Sequence, residues 1–507
     1  MNTLSNSLLL SRLRAIATPV IFAVFPVLAL FGQNAAKLPM QVLIPPVAVV
    51  VVVAGGLLAI LWIVLRDGTK ASLVTSMLLI GFWVIWRPVF LLRSTYFDWI
   101  PESLAAVIFV TGIVAGCVVA YRRMTNPRKL ISAALVSAIA ILCWPIIQIA
   151  MNASMATGRN PPTLSAITLP EGMVKVTKKP TVVLMILDAY GRADQLEEIY
   201  GFDNSAFLDA LRARGFIVAE KSTSNYQTTG LSLASFLNMD YLDAMGVDLN
   251  DTADLRRANA GTKVSRFFQS MGYTRFGFPT GYEMVDDESN SDHVLHPPTL
   301  WGVLSEFEAA LVDASPIGAM TRLVGEYTTQ DAWRANIVNT LENVHRPILE
   351  AEGDPVYVRA HVMCPHFPRV FLADGSFVQE DELFKLRDAE DIGEEYKRQV
   401  VAQTQGLNVH VLESIDRLLE TGTDPPVILL VSDHGARADP KDPMRRQFEN
   451  LCALYLPGRG GSVTKAEVDA LSLVNLFRLF FNTYFDADLP LLETKHIEGH
   501  GPFTWSR

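Results

Sequence analysis

Five long apolar runs near the N-terminus constrain this chain more than any other feature of its sequence. They cover residues 13–32, 43–65, 72–92, 103–121 and 130–151. Each run has the roughly 20 residues that a helix needs to cross the hydrocarbon core of a bilayer. The first run carries no small-residue cleavage site and further runs follow it, so we interpret it as an anchor. The sequence therefore predicts a transmembrane domain of five helices over residues 1–151.

Basic residues around these runs predict how the spans are oriented. They precede the first span or lie in the loops after the second and fourth spans, as Arg12, Arg14, Arg66, Lys70, Arg122, Arg123, Arg128 and Lys129. The alternate loops hold only Lys37 and Arg93. Loops rich in Lys and Arg stay in the cytoplasm. We therefore expect a cytoplasmic N-terminus and place everything after the fifth span outside the cytoplasm.

The rest of the chain has the composition of a water-soluble domain. Residues 152–180 are small, polar and proline-bearing, which predicts a linker, and residues 181–507 form the predicted extracytoplasmic domain. The acidic residues are concentrated in this part, and together with the net charge of −10 for the whole chain they argue against a nucleic-acid partner. Two cysteines, Cys364 and Cys452, lie far apart here. Their spacing leaves open whether they form a disulfide.

Two buried-strand patterns end in side chains that can bind a cation. The apolar run at 427–431 leads into Ser-Asp-His-Gly, which places Asp433 and His434 side by side, and the run at 181–187 ends in Asp188. In open α/β sheets, ligands bind at the carboxyl ends of the strands. Aspartate and histidine supply oxygen and nitrogen ligands to a divalent cation. A strand-end turn with a capping Asp and a solvated His fits one such pair equally well.

A pair of threonines marks the start of a predicted helix. Residues 222–230 are polar and turn-like, and residues 231–242 follow with a helical pattern. Thr228 and Thr229 therefore lie at or just before a helix N-terminus, where free N–H groups and the helix dipole favour an anion, including an alkoxide or a phosphorylated oxygen. An ordinary threonine N-cap explains the same pattern, and taken alone it is the simpler reading.

Several histidines are further candidates. The strand pattern at 355–361 ends in His361, and His366 follows five residues later, so both could bind a phosphoryl group or a second metal. A lone histidine at such a place is more often part of the core. Asp292 and His296 have the spacing of a second-metal ligand pair but follow no predicted strand. The C-terminal histidines, His496 and His500, are predicted to lie in a surface tail.

Strands that alternate with helices predict a three-layer α/β/α sandwich with a mostly parallel sheet. In such a sheet, Asp188, one threonine, Asp433 and His434 would converge as three oxygens and one nitrogen around a single divalent ion. Mn²⁺ or Zn²⁺ suits that donor mixture best, and Mg²⁺ or Ca²⁺ remains open.

The order of these motifs resembles the alkaline phosphatase/sulfatase superfamily. Its elements are a strand ending in Asp, a Thr at a helix start, an H-x4-H pattern after a strand, and S-D-H-G at 432–435. Five spans followed by such an external domain resemble the layout of lipoteichoic acid synthases and lipid A phosphoethanolamine transferases. The resemblance therefore implies a sulfatase-like enzyme of the bacterial cytoplasmic (inner) membrane with a periplasmic catalytic domain.

The resemblance also implies roles for individual residues. Thr229, and not Thr228, aligns with the nucleophile of a group of sulfatase-like bacterial membrane proteins, through the segment SNYQTTGLSLAS. The paired histidines His361 and His366 match those that contact the phosphoryl group. The metal ligands implied by similarity are Asp188, Thr229, Asp433 and His434.

The function implied is transfer of a phospho-head group, of the phosphoethanolamine or phosphoglycerol type, through a phospho-threonine intermediate. The donor would be a membrane phospholipid and the acceptor an envelope glycan or lipid. A metal-dependent phosphodiester or phosphate hydrolase is the alternative. Sulfate-ester hydrolysis is disfavoured because the chain lacks the C/S-x-P-x-R motif that formylglycine formation needs. A catalytically inactive domain that organises envelope assembly is disfavoured because every ligand position holds a competent residue.

Overall fold

The computed structural model describes most of the chain, which falls into two compact units. The first comprises Met1–Arg159, Leu304–Thr329 and Thr504–Arg507, and the second comprises Asn160–Val303 and Gln330–Phe503. The described residues are 2–35, 38, 40–97, 99–156, 179–282, 284–286, 288–298, 304–321, 329–351, 353–378, 393–436, 447–459 and 461–499.

The first unit contains the apolar helices. They are α1 (Asn2–Asn34), α2 (Ile44–Leu65), α3 (Gly68–Ile80), α4 (Trp86–Tyr96), α5 (Glu102–Arg123) and α6 (Pro127–Ala156). A π-helical turn joins α3 to α4, so the two form one candidate span. The described residues thus contain five helices that are long and apolar enough to cross a membrane, as predicted. The outward side chains are apolar, for example Ile63 with 76% of its surface exposed. Such a surface is stable only where lipid or another apolar surface covers it.

Two short helices from the middle of the chain also belong to the first unit. They are α12 (Glu306–Asp313) and α13 (Pro316–Thr321). Ser305 caps α12 in a reciprocal capping box with Glu308. Phe307 packs edge-on against Phe31 near the end of α1, and Ala319 joins a small apolar cluster with Trp86. Residues 304–321 thus group with the apolar helices, although the sequence pattern placed them within the soluble part.

The second unit is built around a seven-stranded sheet. Its strands are β1 (Val182–Leu187), β2 (Ile217–Val218), β3 (Thr274–Gly277), β4 (His293–Val294), β5 (Val356–Val362), β6 (Val427–Val431) and β7 (Cys452–Tyr455). They lie in the order β2-β7-β6-β1-β5-β3-β4. The strand β1 is central and runs parallel to β5 and β6, whereas β7 is antiparallel to β6 and to β2. The predicted mostly parallel sheet is confirmed.

Helices cover both faces of this sheet. They are α7 (Ala193–Tyr200), α8 (Ser205–Ala213), α9 (Thr229–Phe236), α10 (Thr252–Asn259), α11 (Lys263–Ser270), α14 (Thr329–Asn343), α15 (Arg346–Glu350), α16 (Glu394–Glu420), α17 (Lys465–Asp469) and α18 (Leu476–Phe485). Side chains alternate across β1, so Ile186 packs in the core with α18 and Met185 packs in the core with α16. This is the predicted α/β/α sandwich.

Three further sequence predictions concern the end of α9, the linker and the cysteines. The helix after the two threonines ends at Phe236 and not near residue 242, because Met239 adopts a left-handed backbone with φ of 56°. Most of the predicted linker, residues 157–178, lies outside the described residues. All four cysteines are free, so Cys364 and Cys452 do not form a disulfide.

Candidate active site

Strand order brings the predicted ligands together. Because β1 and β6 are parallel neighbours, their carboxyl ends lie at the same edge of the sheet and place Asp188 beside Asp433. Both aspartates are fully buried. The backbone N–H of Ala189 donates to Oδ1 of Asp433 over 3.0 Å, which links the two strand ends directly. The carboxylates are therefore held by the framework of the sheet.

Thr229 is the first residue of α9 and points at this pair. Its Oγ1 donates to Oδ2 of Asp188 over 3.1 Å and lies 3.5 Å from Nε2 of His434. The hydroxyl of Ser232, one turn along α9, donates to the carbonyl of Asp433. Ser232 thus ties the helix to the strand end. The sequence contained no sign of this role, because a serine inside a helical pattern is ordinary.

The donor set fits a cation. Ligand atoms of Asp188, Asp433 and His434 all lie within 4.8 Å of one another. Asp188 Oδ1 and Asp433 Oδ2 are buried and have no hydrogen-bond partner among the described residues. A buried carboxylate oxygen without a partner is costly, and a bound cation would remove that cost.

The hydrogen bonding of His434 also suits metal binding. Its Nδ1 lies 2.8 Å from the carbonyl oxygen of Gly435, which can only accept a hydrogen bond. Nδ1 therefore carries a proton, and Nε2, which lies 3.4 Å from Oδ2 of Asp433, is the nitrogen that a metal could bind in place of a proton. A metal-binding imidazole needs this arrangement, with one nitrogen donating to the protein and the other available.

Charge within the site keeps Asp188 ionised. Burial alone would raise the pKa of Asp188, but the imidazoles of His366, His361 and His434 outweigh burial and hold the pKa well below its usual range. Burial alone would lower the pKa of the His434 imidazole, but the negative charges of Asp433 and Asp188 outweigh burial and raise that pKa. The site is therefore a compact set of mutually stabilising charges.

The two histidines after β5 have different environments. His361 is only 2% exposed, and its Nε2 lies 3.3 Å from Oδ2 of Asp188. His366 is exposed, and its backbone N–H donates to the carbonyl of Asp188 over 3.1 Å. The ring Nδ1 of His366 lies 2.7 Å from the carbonyl of Phe367, so Nε2 is the ring nitrogen left to face a ligand. His361 is placed to hold Asp188, and His366 is accessible to a ligand.

Gln403 of α16 is a site residue that the sequence did not reveal. Its side-chain Nε2 lies 2.9, 3.1 and 3.3 Å from the carbonyls of Pro365, His366 and Pro368, and its Oε1 accepts from the N–H of Val370 at 2.6 Å. One buried amide thus holds the loop that carries His366. No local pattern marks such a residue, because its partners lie more than 30 positions away in the chain.

The remaining candidates lie in other surroundings. Asp292 forms an ion pair of 2.6 Å with Arg275, which lowers its pKa and explains that carboxylate without a metal. Thr228 occupies the N-cap position of α9, but its hydroxyl makes no capping bond and has no partner among the described residues. His496 is exposed and stacks on Phe448 with ring centroids 4.7 Å apart. His500 lies outside the described residues.

Three of the solved structures similar to this one are bacterial proteins or domains of them. The C-terminal periplasmic domain of EcEptC from Escherichia coli matches with 16% identity and a TM-score of 0.42, over 67% of this chain and 95% of that chain. The soluble domain of lipooligosaccharide phosphoethanolamine transferase A from Neisseria meningitidis matches with 13% identity and a TM-score of 0.41, over 64% and 93%. The candidate sulfatase yidJ from Bacteroides fragilis matches with 14% identity and a TM-score of 0.37, over 62% and 75%. No protein-family profile and no curated protein matches the chain.

Proposed function

We propose that this protein is a metal-dependent, membrane-anchored transferase. It moves a phospho-head group, phosphoethanolamine or phosphoglycerol, from a membrane phospholipid to an envelope glycan or lipid. The observation that carries the proposal is the position of Thr229 Oγ1, 3.1 Å from Asp188 and 3.5 Å from His434 within a buried donor set. Asp188, Thr229, Asp433 and His434 would hold one divalent ion, with Mn²⁺ or Zn²⁺ suited to three oxygens and one nitrogen.

Thr229 is the proposed nucleophile. A bound ion would supply Lewis acidity and would lower the pKa of the threonine hydroxyl. Oγ1 of Thr229 loses its proton to solvent and forms a bond to phosphorus, while the bond from phosphorus to the diacylglycerol oxygen breaks. The exposed His366 gives a proton to that leaving oxygen. A phosphoryl group bonded to Thr229 would lie at the N-terminus of α9, where the free N–H groups favour its negative charge.

The second half of the reaction restores the enzyme. An acceptor hydroxyl attacks the phosphorus of phospho-threonine, and His366 takes the proton of that hydroxyl. The bond from phosphorus to Thr229 breaks, and the threonine oxygen regains a proton from solvent. His361, buried against Asp188 at 3.3 Å, keeps that carboxylate in place throughout.

The test uses the full-length protein in liposomes with Mn²⁺ or Zn²⁺ and fluorescent phosphatidylethanolamine or phosphatidylglycerol. Labelled diacylglycerol should appear, and the head group should be found on an added lipid A or glycan acceptor. Release of free head group at a rate independent of acceptor would instead favour the hydrolase. If the protein bound no metal and turned over no phosphodiester, that result would support an inactive scaffold and contradict the proposal.

We also propose an extracytoplasmic catalytic unit. The positive-inside pattern supports it, and so do α12 and α13, which lie between β4 and α14 in the chain. These helices pack near Phe31 and Trp86, at the span ends that the basic residues place outside.

A reporter fused after Pro180 should therefore be active only when it functions outside the cytoplasm. Periplasmic alkaline phosphatase and cytoplasmic green fluorescent protein make a matched pair for this measurement. Fluorescence from the fusion at Pro180, together with no phosphatase activity, would overturn both the topology and the lipid donor. A second fusion after Asp67 should give the opposite pattern and serves as the control.

Replacing Gln403 by glutamate is expected to displace His366. The new carboxylate oxygen would face the carbonyls that Nε2 now contacts at 2.9 to 3.3 Å, so the loop must move. We expect kcat on bis(4-nitrophenyl) phosphate to fall by about tenfold or more, with bound metal unchanged. Gln399→Glu, the same change one turn earlier on α16, should leave kcat unaltered, because the side chain of Gln399 donates to Glu395 and to none of these carbonyls. Equal rates for the two variants would contradict the positioning role.

A further inference from the structure

The C-terminal segment at residues 489–499, here called the C-terminal strap, is fixed along its length by asparagine side chains. Asn482 accepts from the N–H of Leu489 at 2.7 Å and donates to its carbonyl at 2.8 Å. Asn475 makes the same pair of bonds to Leu492, each of 2.8 Å. Each amide thus holds both backbone groups of one strap residue. A segment without helix or strand would otherwise be mobile.

The end of the strap contacts the loop that leads to Thr229. The side-chain Nδ2 of Asn225 donates to the carbonyl of Lys495 over 3.0 Å, and the N–H of Ile497 donates to the backbone carbonyl of Asn225 over 2.9 Å. Ile497 pairs with Tyr226 in a parallel bridge. The strap therefore runs alongside the chain that carries the proposed nucleophile.

Two further contacts extend this alignment. A Cβ added at Gly499 would lie 3.2 Å from Leu231 Cδ1, so the strap follows the chain past Thr229 into α9. The hydroxyl of Tyr241 donates to the carbonyl of Glu493 over 2.6 Å and accepts from the N–H of Lys495 over 2.9 Å. Tyr241 belongs to the same core as α9, so it anchors the strap on the helix side.

Asn225 is the centre of this network. It is 2% exposed, and its amide donates to Lys495 and Tyr241 while its Oδ1 accepts from the N–H of Val474 at 2.8 Å. Both the amide nitrogen and the amide oxygen of Asn225 are thus hydrogen-bonded inside the protein. Fully satisfied buried networks of this kind rigidify the segments that they join.

We propose that the C-terminal strap is a positioning element of the active site. It holds residues 222–228, here called the nucleophile loop, so that Oγ1 of Thr229 stays within reach of Asp188 and His434. This inference rests on the proposed role of Thr229. Catalytic groups need placement to about 0.5 Å, and a shift of about 1 Å can cost about a hundredfold in rate. Asn225 and Ile497 are therefore positioning residues that act through the nucleophile loop.

The strap offers a matched comparison. Asn225→Asp replaces the donor Nδ2 with an oxygen that repels the carbonyl of Lys495, and Ile497→Pro removes the N–H that Asn225 accepts. Asn482→Asp makes the same chemical change in another asparagine that bonds the strap. The described hydrogen bonds of Asn482 to the strap go to Leu489 and to no residue of the nucleophile loop. If the strap served stability alone, the three variants would behave alike.

The experiment measures kcat and KM of the full-length protein on bis(4-nitrophenyl) phosphate with Mn²⁺, together with bound metal and amide hydrogen exchange. We expect Asn225→Asp and Ile497→Pro to lower kcat by about 10- to 100-fold with KM and metal content little changed. Exchange should rise at the amides of the nucleophile loop. Asn482→Asp should match the wild type in kcat and in exchange at that loop.

Unchanged kcat in both loop-contacting variants, or the same loss in Asn482→Asp, would overturn the proposal. Hydrogen exchange separates its failure from failure of the proposed function. If the wild type turns over no phosphodiester, the proposed function fails, and raised exchange confined to the nucleophile loop in Asn225→Asp and Ile497→Pro still supports the strap. Unchanged hydrogen exchange in the nucleophile loop would overturn the proposed role of the strap, whatever the measured activity.

Discussion

Replacing Thr229 by alanine is expected to abolish turnover and the covalent adduct while leaving the protein folded. The hydroxyl is the proposed nucleophile, and loss of a nucleophile costs at least about 10³-fold in kcat. The fold should survive, because Thr229 is only half-buried and loses one hydrogen bond, to Asp188, worth about 1 kcal/mol. Intact mass spectrometry after incubation with phosphatidylethanolamine or phosphatidylglycerol detects the adduct in the wild type and its loss in the variant.

Thr228→Val is the matched control. The hydroxyl of Thr228 is buried and has no partner among the described residues, and its backbone, with φ of −130° and ψ of 147°, suits a β-branched residue. Removing an unsatisfied buried hydroxyl should therefore leave stability unchanged or raise it by about 1 kcal/mol. The cap that the sequence suggested at this position is not formed. An adduct on Thr228, or one that persists in Thr229→Ala, would show that the nucleophile is misassigned.

Asp433→Asn and His434→Ala are each expected to remove both bound metal and activity. Each takes away one proposed ligand, and the asparagine can still accept from the N–H of Ala189. In the wild type, a metal at about 100 times its Kd should stabilise the folded state by about 2.7 kcal/mol. The variants should show no such gain. Elemental analysis of the purified protein and thermal unfolding with and without Mn²⁺ or Zn²⁺ make the comparison.

Asp292→Asn provides the opposite behaviour. Its loss leaves the guanidinium of Arg275, which is 4% exposed, without its carboxylate partner, so the melting temperature should fall. Bound metal and the stabilisation by added metal should persist, because Asp292 is engaged by Arg275. Full metal occupancy in Asp433→Asn, or lost occupancy in Asp292→Asn, would place the metal at a different site.

The membrane and sheet architecture could be predicted because its signals are local. A span is recognised by the length of an apolar run, and a buried parallel strand by a short run of β-branched residues. Asp188, Asp433 and His434 were identified as candidates for the same reason, since each lies within three residues of the end of such a strand. Once the strands are parallel neighbours, their ends must meet, and the candidate metal site follows.

The support of the site could not be predicted in this way. Ser232, Gln403 and Asn225 act through bonds to backbone groups that lie 33 to 270 positions away in the chain. A backbone carbonyl is present at every residue, so nothing in the sequence marks the one that a side chain will reach. The grouping of residues 304–321 with the apolar helices is hidden for a similar reason, because a short amphipathic helix does not specify its partner.

The sequence by itself determined five candidate spans, an α/β/α sandwich and the residue types of a candidate cation-binding strand edge, because periodicity and composition act over a few neighbouring residues. Only the tertiary structure decided that the hydroxyl of Thr229 faces Asp188 while that of Thr228 is buried without a partner. It also decided that the tail around His496 lies against the nucleophile loop. Such contacts depend on how distant segments pack, and packing is a property of the whole fold.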